Sequence, residues 1–211
     1  MNLPLEASLP RHTVFYFDYA DPASYVASAL VPRLCRDGAA SCSLEPVDSQ
    51  VLATPTDPDW RTLTERAASL GLPLVRPARF PFDSHPLLRT SVFVRDRSGQ
   101  EAMAAVADRI WRHVWALGED PEDPDLLLRV SRDLALPEPT LREAPRDDAA
   151  ARMLARLTER AAGRGVARVP ALLVEGRLFQ ALDGIAAYAA EVRPHASGGA
   201  SGDIPDWTFS G

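Results

Sequence analysis

Strand-forming patterns occur near the two ends of this 211-residue sequence and are missing from the middle. The composition break marks the middle as a helical insertion between two strand-bearing parts. Thr13–Tyr19 (TVFYFDY) is aromatic and β-branched, the composition of a buried strand. Asp21-Pro22 follows at once. Asp at the N-cap with Pro at the first helical position is a strong helix start, because proline's missing N–H is not needed there. The apolar period predicts a helix from Ser24 to about Cys35, stopping at Gly38. Cys42–Val47 (CSLEPV) reads as a second strand, so the opening is β-α-β.

The middle carries helical periods only. Trp60–Leu70 is helical in pattern and stops at Gly71, and a proline-rich connection runs from Pro73 to Pro81. Further helices are predicted over Leu87–Val94, Ala102–Leu117, Pro124–Leu134 and Asp147–Ala162. Strand character returns after Gly163 and Gly165. Val169-Pro170 precedes Ala171–Val174, a hairpin-like turn at Glu175-Gly176, Leu178–Gln180 and a closing helix over Asp183–Val192. The expected organisation is an α/β domain built from residues 13–51 and 146–193, an all-helical insertion over 52–145, and a tail over 194–211 without regular structure.

Composition narrows the function classes. Net charge is −6, all 23 basic residues are arginine, and no stretch concentrates base with aromatics, so nucleic acid is not an expected partner. No apolar run approaches the ~18 residues of a membrane span, and Met1–His12 lacks the pattern of a secretion signal. Cys35 and Cys42 form neither C-x-x-C nor a metal pair, and His12, His85, His113 and His195 show no ligand spacing. The expectation is a cytoplasmic protein with reduced thiols, no metal and a small-molecule partner, for which a homodimer is one allowed assembly.

Three stretches carry a family resemblance: FYFDYADPASYVA at 15–27, GVARVPALLVEGRLF at 165–179 and QALDGI at 180–185, with a looser fourth, RFPFDSHPLLR at 79–89. Together they resemble the kappa-class glutathione transferases and 2-hydroxychromene-2-carboxylate isomerases, a branch of the DsbA-like thioredoxin-fold proteins. The resemblance spans roughly residues 13–193. It implies a thioredoxin-like α/β fold (β-α-β, then a cis-proline β-β-α) with an inserted all-helical domain.

The same resemblance implies a site. Where DsbA-like relatives begin the first helix with a reactive thiol, and the kappa-like branch has a serine facing the sulfur of bound glutathione, this sequence has Asp21. An ionised carboxylate repels a thiolate. It can instead act as a general base toward the thiol or stay protonated and donate a hydrogen bond, or it can simply cap the helix. Ser24 is either a replacement hydroxyl or an ordinary first-turn residue. By resemblance Pro170 is cis and Val169 offers its backbone to the ligand's cysteinyl part. Asp183 matches the position that holds the γ-glutamyl ammonium, with helix capping as the competing role.

Leu182 stands where the family has a small polar residue, Gly184 where it has arginine, and Arg61 in the neighbourhood of a basic residue of the helical insertion. Asp83 and His85 read as a solvated turn, and Trp111 and Trp115 as core or cleft wall. The implied activity is a glutathione-dependent, or other low-molecular-weight-thiol-dependent, isomerase or transferase acting on small aromatic or enone electrophiles. The competing expectation is a non-catalytic binding protein of the same fold. A dithiol oxidoreductase is disfavoured because neither cysteine falls at the reactive position.

Overall fold

The computed structural model describes residues 11–35, 40–53, 56–136 and 139–192; the predicted stop at Gly38 and the predicted tail lie outside the described residues. Four strands form one sheet in the order β2-β1-β3-β4. β1 (Arg11–Phe17) and β2 (Ala40–Pro46) are parallel. β3 (Ala171–Val174) runs antiparallel to β1, and β4 (Arg177–Gln180) antiparallel to β3. β1 and β3, distant in sequence, pair in the centre of the sheet. This is the expected thioredoxin-like arrangement.

A parallel pair needs a crossover, which α1 (Pro22–Ser28) and α2 (Val31–Cys35) supply. The single helix predicted from Ser24 to Cys35 is thus two. Pro32 is the physical reason: it lacks an N–H and its ring crowds the carbonyl four residues back, on Ser28, where α1 ends. Cys42 on β2 is disulfide-bonded, which corrects the expectation of reduced thiols for that residue; the side chain of Cys35 lies outside the described residues.

From Thr13 to Phe17 β1 is buried on both faces, so this part of the strand does not alternate apolar with charged residues. Phe15 and Phe17 join the larger apolar cluster with Leu44, Trp111 and Leu172. Val14 and Tyr16 point the other way, into a smaller cluster with Ala161, Val166 and Ala171.

Between β2 and β3 the described residues contain helices and turns and no strand. They are α3 (Ser49–Leu52), α4 (Trp60–Ser69), α5 (His85–Trp111), α6 (Leu126–Asp133), α7 (Pro139–Arg142) and α8 (Asp148–Gly163), and α9 (Ala181–Glu191) closes the chain. The helices predicted at Leu87–Val94 and Ala102–Leu117 are the two halves of α5, which meet at Gly99, a residue with non-helical backbone (φ 85°, ψ −179°). α5 passes directly into a π-helical turn, Arg112–Ala116, and ends near Gly118.

Gly118 is tightly constrained. Its φ is +69°, and a Cβ there would meet Val75 Cγ1 at 2.6 Å. Gly118→Ala is expected to cost about 1–3 kcal/mol, measured as a lower urea midpoint at unchanged slope. No helix among the described residues is long and apolar enough to cross a membrane.

Candidate functional site

The chain leaves β1 at Phe17 and enters α1 at Pro22, so residues 18–21 turn at the strand's C-terminal end. Asp21 is the N-cap, with extended backbone (φ −98°, ψ 108°). Its Oδ1 accepts from Ala23 N–H at 3.2 Å, and its Oδ2 from Ser24 N–H at 2.9 Å and Ser24 Oγ at 2.6 Å. Burial pushes the Asp21 carboxyl up to about 7, against the pull of the Ser24 hydroxyl and the two N–H donors; the charge of Asp18 adds to the rise. Asp21 and Ser24 are therefore one hydrogen-bonded unit. The capping role is real, and it coexists with a carboxyl that changes charge near neutral pH.

Asp18 was missing from the sequence-based site. It is fully buried. Its Oδ1 accepts from Ala20 N–H and its Oδ2 from Ser49 N–H, both at 2.9 Å, while its own N–H donates to Ser24 Oγ at 3.4 Å. The signal available was an acidic residue directly after the apolar run Val14–Phe17, which can stay there only if the fold supplies donors.

Register brings the second part of the site to the same place. Tyr16 pairs with Ala171, and Ala171 with Gln180. Val169-Pro170 and the start of α9 therefore sit at the end of the sheet where Asp18 and Asp21 lie. The Val169-Pro170 peptide is cis, as the resemblance implies, and Pro170 C=O accepts from Ala181 N–H at 2.8 Å. Leu182 is buried in the main apolar cluster. Asp183 is 79% exposed and pairs with Arg66 of α4, Nη2 to Oδ1 3.0 Å. Arg61 is exposed on the first turn of the same helix, so it is Arg66 that reaches Asp183.

His85 does not sit in a free solvated turn. Its Nδ1 lies 2.6 Å from Asp83 Oδ1 and its Nε2 2.9 Å from Asp48 Oδ2, with the ring 35% exposed. Burial lowers its pKa, but the Asp83 and Asp48 carboxylates outweigh that and leave it raised. The two carboxylates occupy opposite ring nitrogens and do not converge on a point. Among the described residues no group of three or more His, Cys, Asp or Glu is arranged to hold a metal ion.

An aromatic wall stands beside the turn. Trp115 is fully buried and donates from Nε1 to Tyr19 C=O at 3.0 Å. Trp60, Phe80 and Phe82 surround it, with ring centroids at 6.2, 5.9 and 6.1 Å. The Arg76 guanidinium lies over Trp60 and Phe80, 5.1 and 5.4 Å from their centroids. A separate cavity of about 640 Å³ opens between the start of α5 and residues 121–128, with Asp83 on its rim; Asp21 and Val169 are not among its lining residues.

With this geometry in place, comparison with known proteins gives consistent matches. The family model of the DSBA-like thioredoxin domain matches residues 13–192. The chain is similar to 2-hydroxychromene-2-carboxylate isomerase of Sphingobium xenophagum, 26% identical over 179 residues that cover 78% of this chain and 89% of that one. Among solved structures it resembles a 2-hydroxychromene-2-carboxylate isomerase at TM-score 0.73 and 22% identity, covering 85% and 93% of the two chains. It also resembles the cytosolic disulfide reductase DsbM of Pseudomonas aeruginosa with GSH, at TM-score 0.59 and 21% identity, covering 87% and 100%.

Proposed function

We propose that this chain, which belongs to the DSBA-like thioredoxin domain family, is a thiol-dependent isomerase or transferase acting on small aromatic or enone electrophiles. Glutathione, or a low-molecular-weight thiol like it, is the proposed cosubstrate. The observation that carries the reading is Asp21: a partly buried, hydrogen-bonded carboxyl raised to about 7, at the end of the sheet that also carries the cis Val169-Pro170 peptide.

A bound thiol supplies a nucleophilic sulfur that adds to a conjugated double bond, lets the former double bond turn as a single bond, and leaves again. The chain's own residues handle the proton and the orientation. An ordinary aspartate, with a pKa near 3.9, is a poor base toward a thiol near 8.5; a carboxyl at about 7 is far better matched. Asp21 accepts the thiol proton on its carboxylate and returns it to the departing sulfur, while Ser24 Oγ holds the carboxylate in one orientation. The backbone of Val169, beside the cis peptide, aligns the ligand's peptide part, and the Asp183 carboxylate receives its ammonium. Trp60 and Phe80, both partly exposed, offer an aromatic substrate a face to stack on. Neither cysteine begins α1, and Cys42 lies on β2, which supports thiol supply by a ligand over dithiol chemistry.

A non-catalytic binding protein is the second reading, favoured by the Arg66–Asp183 pair that already occupies the proposed ammonium site. Exposed pairs of this kind contribute about 0–1 kcal/mol and exchange readily, so the pair is weak competition for a ligand. Calorimetry with glutathione on the full chain is expected to show binding that weakens about tenfold in Asp183→Ala, the loss of one charge-assisted contact. Binding without turnover of an enone substrate would favour the second reading, and no binding would sink glutathione as the cosubstrate.

A further inference from the structure

We propose that His85 is a positioning residue for the Asp18–Asp21 carboxyl pair, acting through Asp48 and Ser49 across the boundary between the helical stretch and the sheet. The proposal rests on the functional reading above for its significance, but its test does not depend on turnover.

The argument is a chain of contacts. His85 opens α5, and Asp83 on the preceding loop fixes its Nδ1 at 2.6 Å. The other ring nitrogen holds Asp48 Oδ2 at 2.9 Å. Asp48 is the N-cap of α3, so its position sets that of the next residue, and Ser49 N–H is the group that binds Asp18 Oδ2 at 2.9 Å. Asp18 in turn donates its N–H to Ser24 Oγ, which is bonded to Asp21.

Other groups bear on the ring and its carboxylates. Arg89 on α5 acts on Asp83 through its charge, Glu122 accepts from Asp83 N–H at 3.4 Å, and Thr158 on α8 accepts from Asp48 N–H at 3.0 Å. None of these replaces the contact between His85 and Asp48. Without it, α3 keeps its local cap, the Thr158 tie and the packing of Leu52 on the smaller apolar cluster, but loses the side-chain bond from α5 that holds Asp48, and with it Ser49, beside Asp18.

A fully buried carboxylate that loses a donor seeks water. Release of Asp18 both separates it from Asp21 and admits solvent, and the two effects move Asp21 in the same direction, back toward the ordinary carboxylate range.

The test is a carbon-13 NMR titration of the Asp21 carboxyl in the full chain, compared with His85→Ala and Ser49→Pro. Proline suits the first position of α3, and the extended backbone of Asp48 (φ −79°, ψ 105°) accepts a following proline, so Ser49→Pro removes the N–H donor alone. Both variants are expected to lower the Asp21 midpoint by about half a unit or more, roughly threefold in proton affinity. The double variant is expected to shift it no further than the larger single effect.

A midpoint unmoved in His85→Ala, with only the melting temperature lowered, makes His85 a structural tie and overturns the proposal. A shift in Ser49→Pro alone overturns it too. If His85→Ala does not fold, His85→Phe, which keeps a ring of similar size and can bond neither carboxylate, carries the same test. A moved midpoint in a protein that binds no thiol would sink the proposed function while upholding the positioning role.

Discussion

Asp21→Asn is expected to abolish turnover of an enone substrate and, at the same time, to make the protein more stable at pH 8. The carboxyl titrates near 7 when folded and near 3.8 when unfolded, so between those values the folded chain holds more protons than the unfolded one. Stability therefore falls as pH rises through this window: the contribution of the neutral acid is complete below about pH 4 and lost above about 7. Asparagine keeps a side-chain oxygen for the cap and never ionises. The shift sets a ceiling of about 4 kcal/mol, and water reaching a residue that is partly exposed brings the expected gain nearer 1–2 kcal/mol.

Urea unfolding at several pH values between 4 and 8 checks the first half: wild type should weaken across the range relative to the variant, and the two should agree at pH 4. The second half is read at pH 7, where loss of the base should cost about 100-fold or more in rate. Stability that changes while turnover stays the same would reduce Asp21 to a helix cap.

Trp115→Ala has the largest expected effect on folding. The ring is fully buried amid Trp60, Phe80 and Phe82 and donates to Tyr19 C=O. Truncation removes the packing, leaves a cavity and orphans a carbonyl two residues before Asp21. The first two effects cost about 3–5 kcal/mol in buried tryptophans, and an unsatisfied buried acceptor adds about 1–3. Since total stability of a domain is about 5–15 kcal/mol, the variant should be barely folded at 37 °C. Trp115→Phe separates the parts: it retains much of the volume and loses the hydrogen bond, so a folded protein with faster amide exchange at residues 20–24 is expected. A urea midpoint for Trp115→Ala close to wild type would show that the aromatic wall does not support the turn.

The sequence was informative wherever the deciding contact is local. Asp21-Pro22 announced α1 because the cap and its donors lie within three residues, and β1 was legible from its aromatic and β-branched run. The break between α1 and α2 was missed, although Pro32 is a local signal for it. The cis Val169-Pro170 peptide came from the family resemblance and not from local pattern. What escaped reading is the set of contacts made across long loops. Asp18 meets Ser49 31 residues on, Asp48 meets His85 at a separation of 37, and Arg66 meets Asp183 at 117. No periodicity or cap rule couples such positions, which is why the Arg66–Asp183 pair was not anticipated and why His85 looked solvated.

The larger apolar cluster contains Phe15, Leu44 and Leu172 from the sheet together with Leu63, Val92, Ile110, Leu126 and Leu154 from the helices that separate its strands in sequence. One face of the sheet is thus finished by the helical stretch and has no surface of its own there. Such a stretch cannot travel between relatives as a cassette, because a foreign copy would arrive with an inner face cut to another sheet. The exposed arginines Arg61, Arg66 and Arg76 lie outside that joint face and can be exchanged without reopening the core.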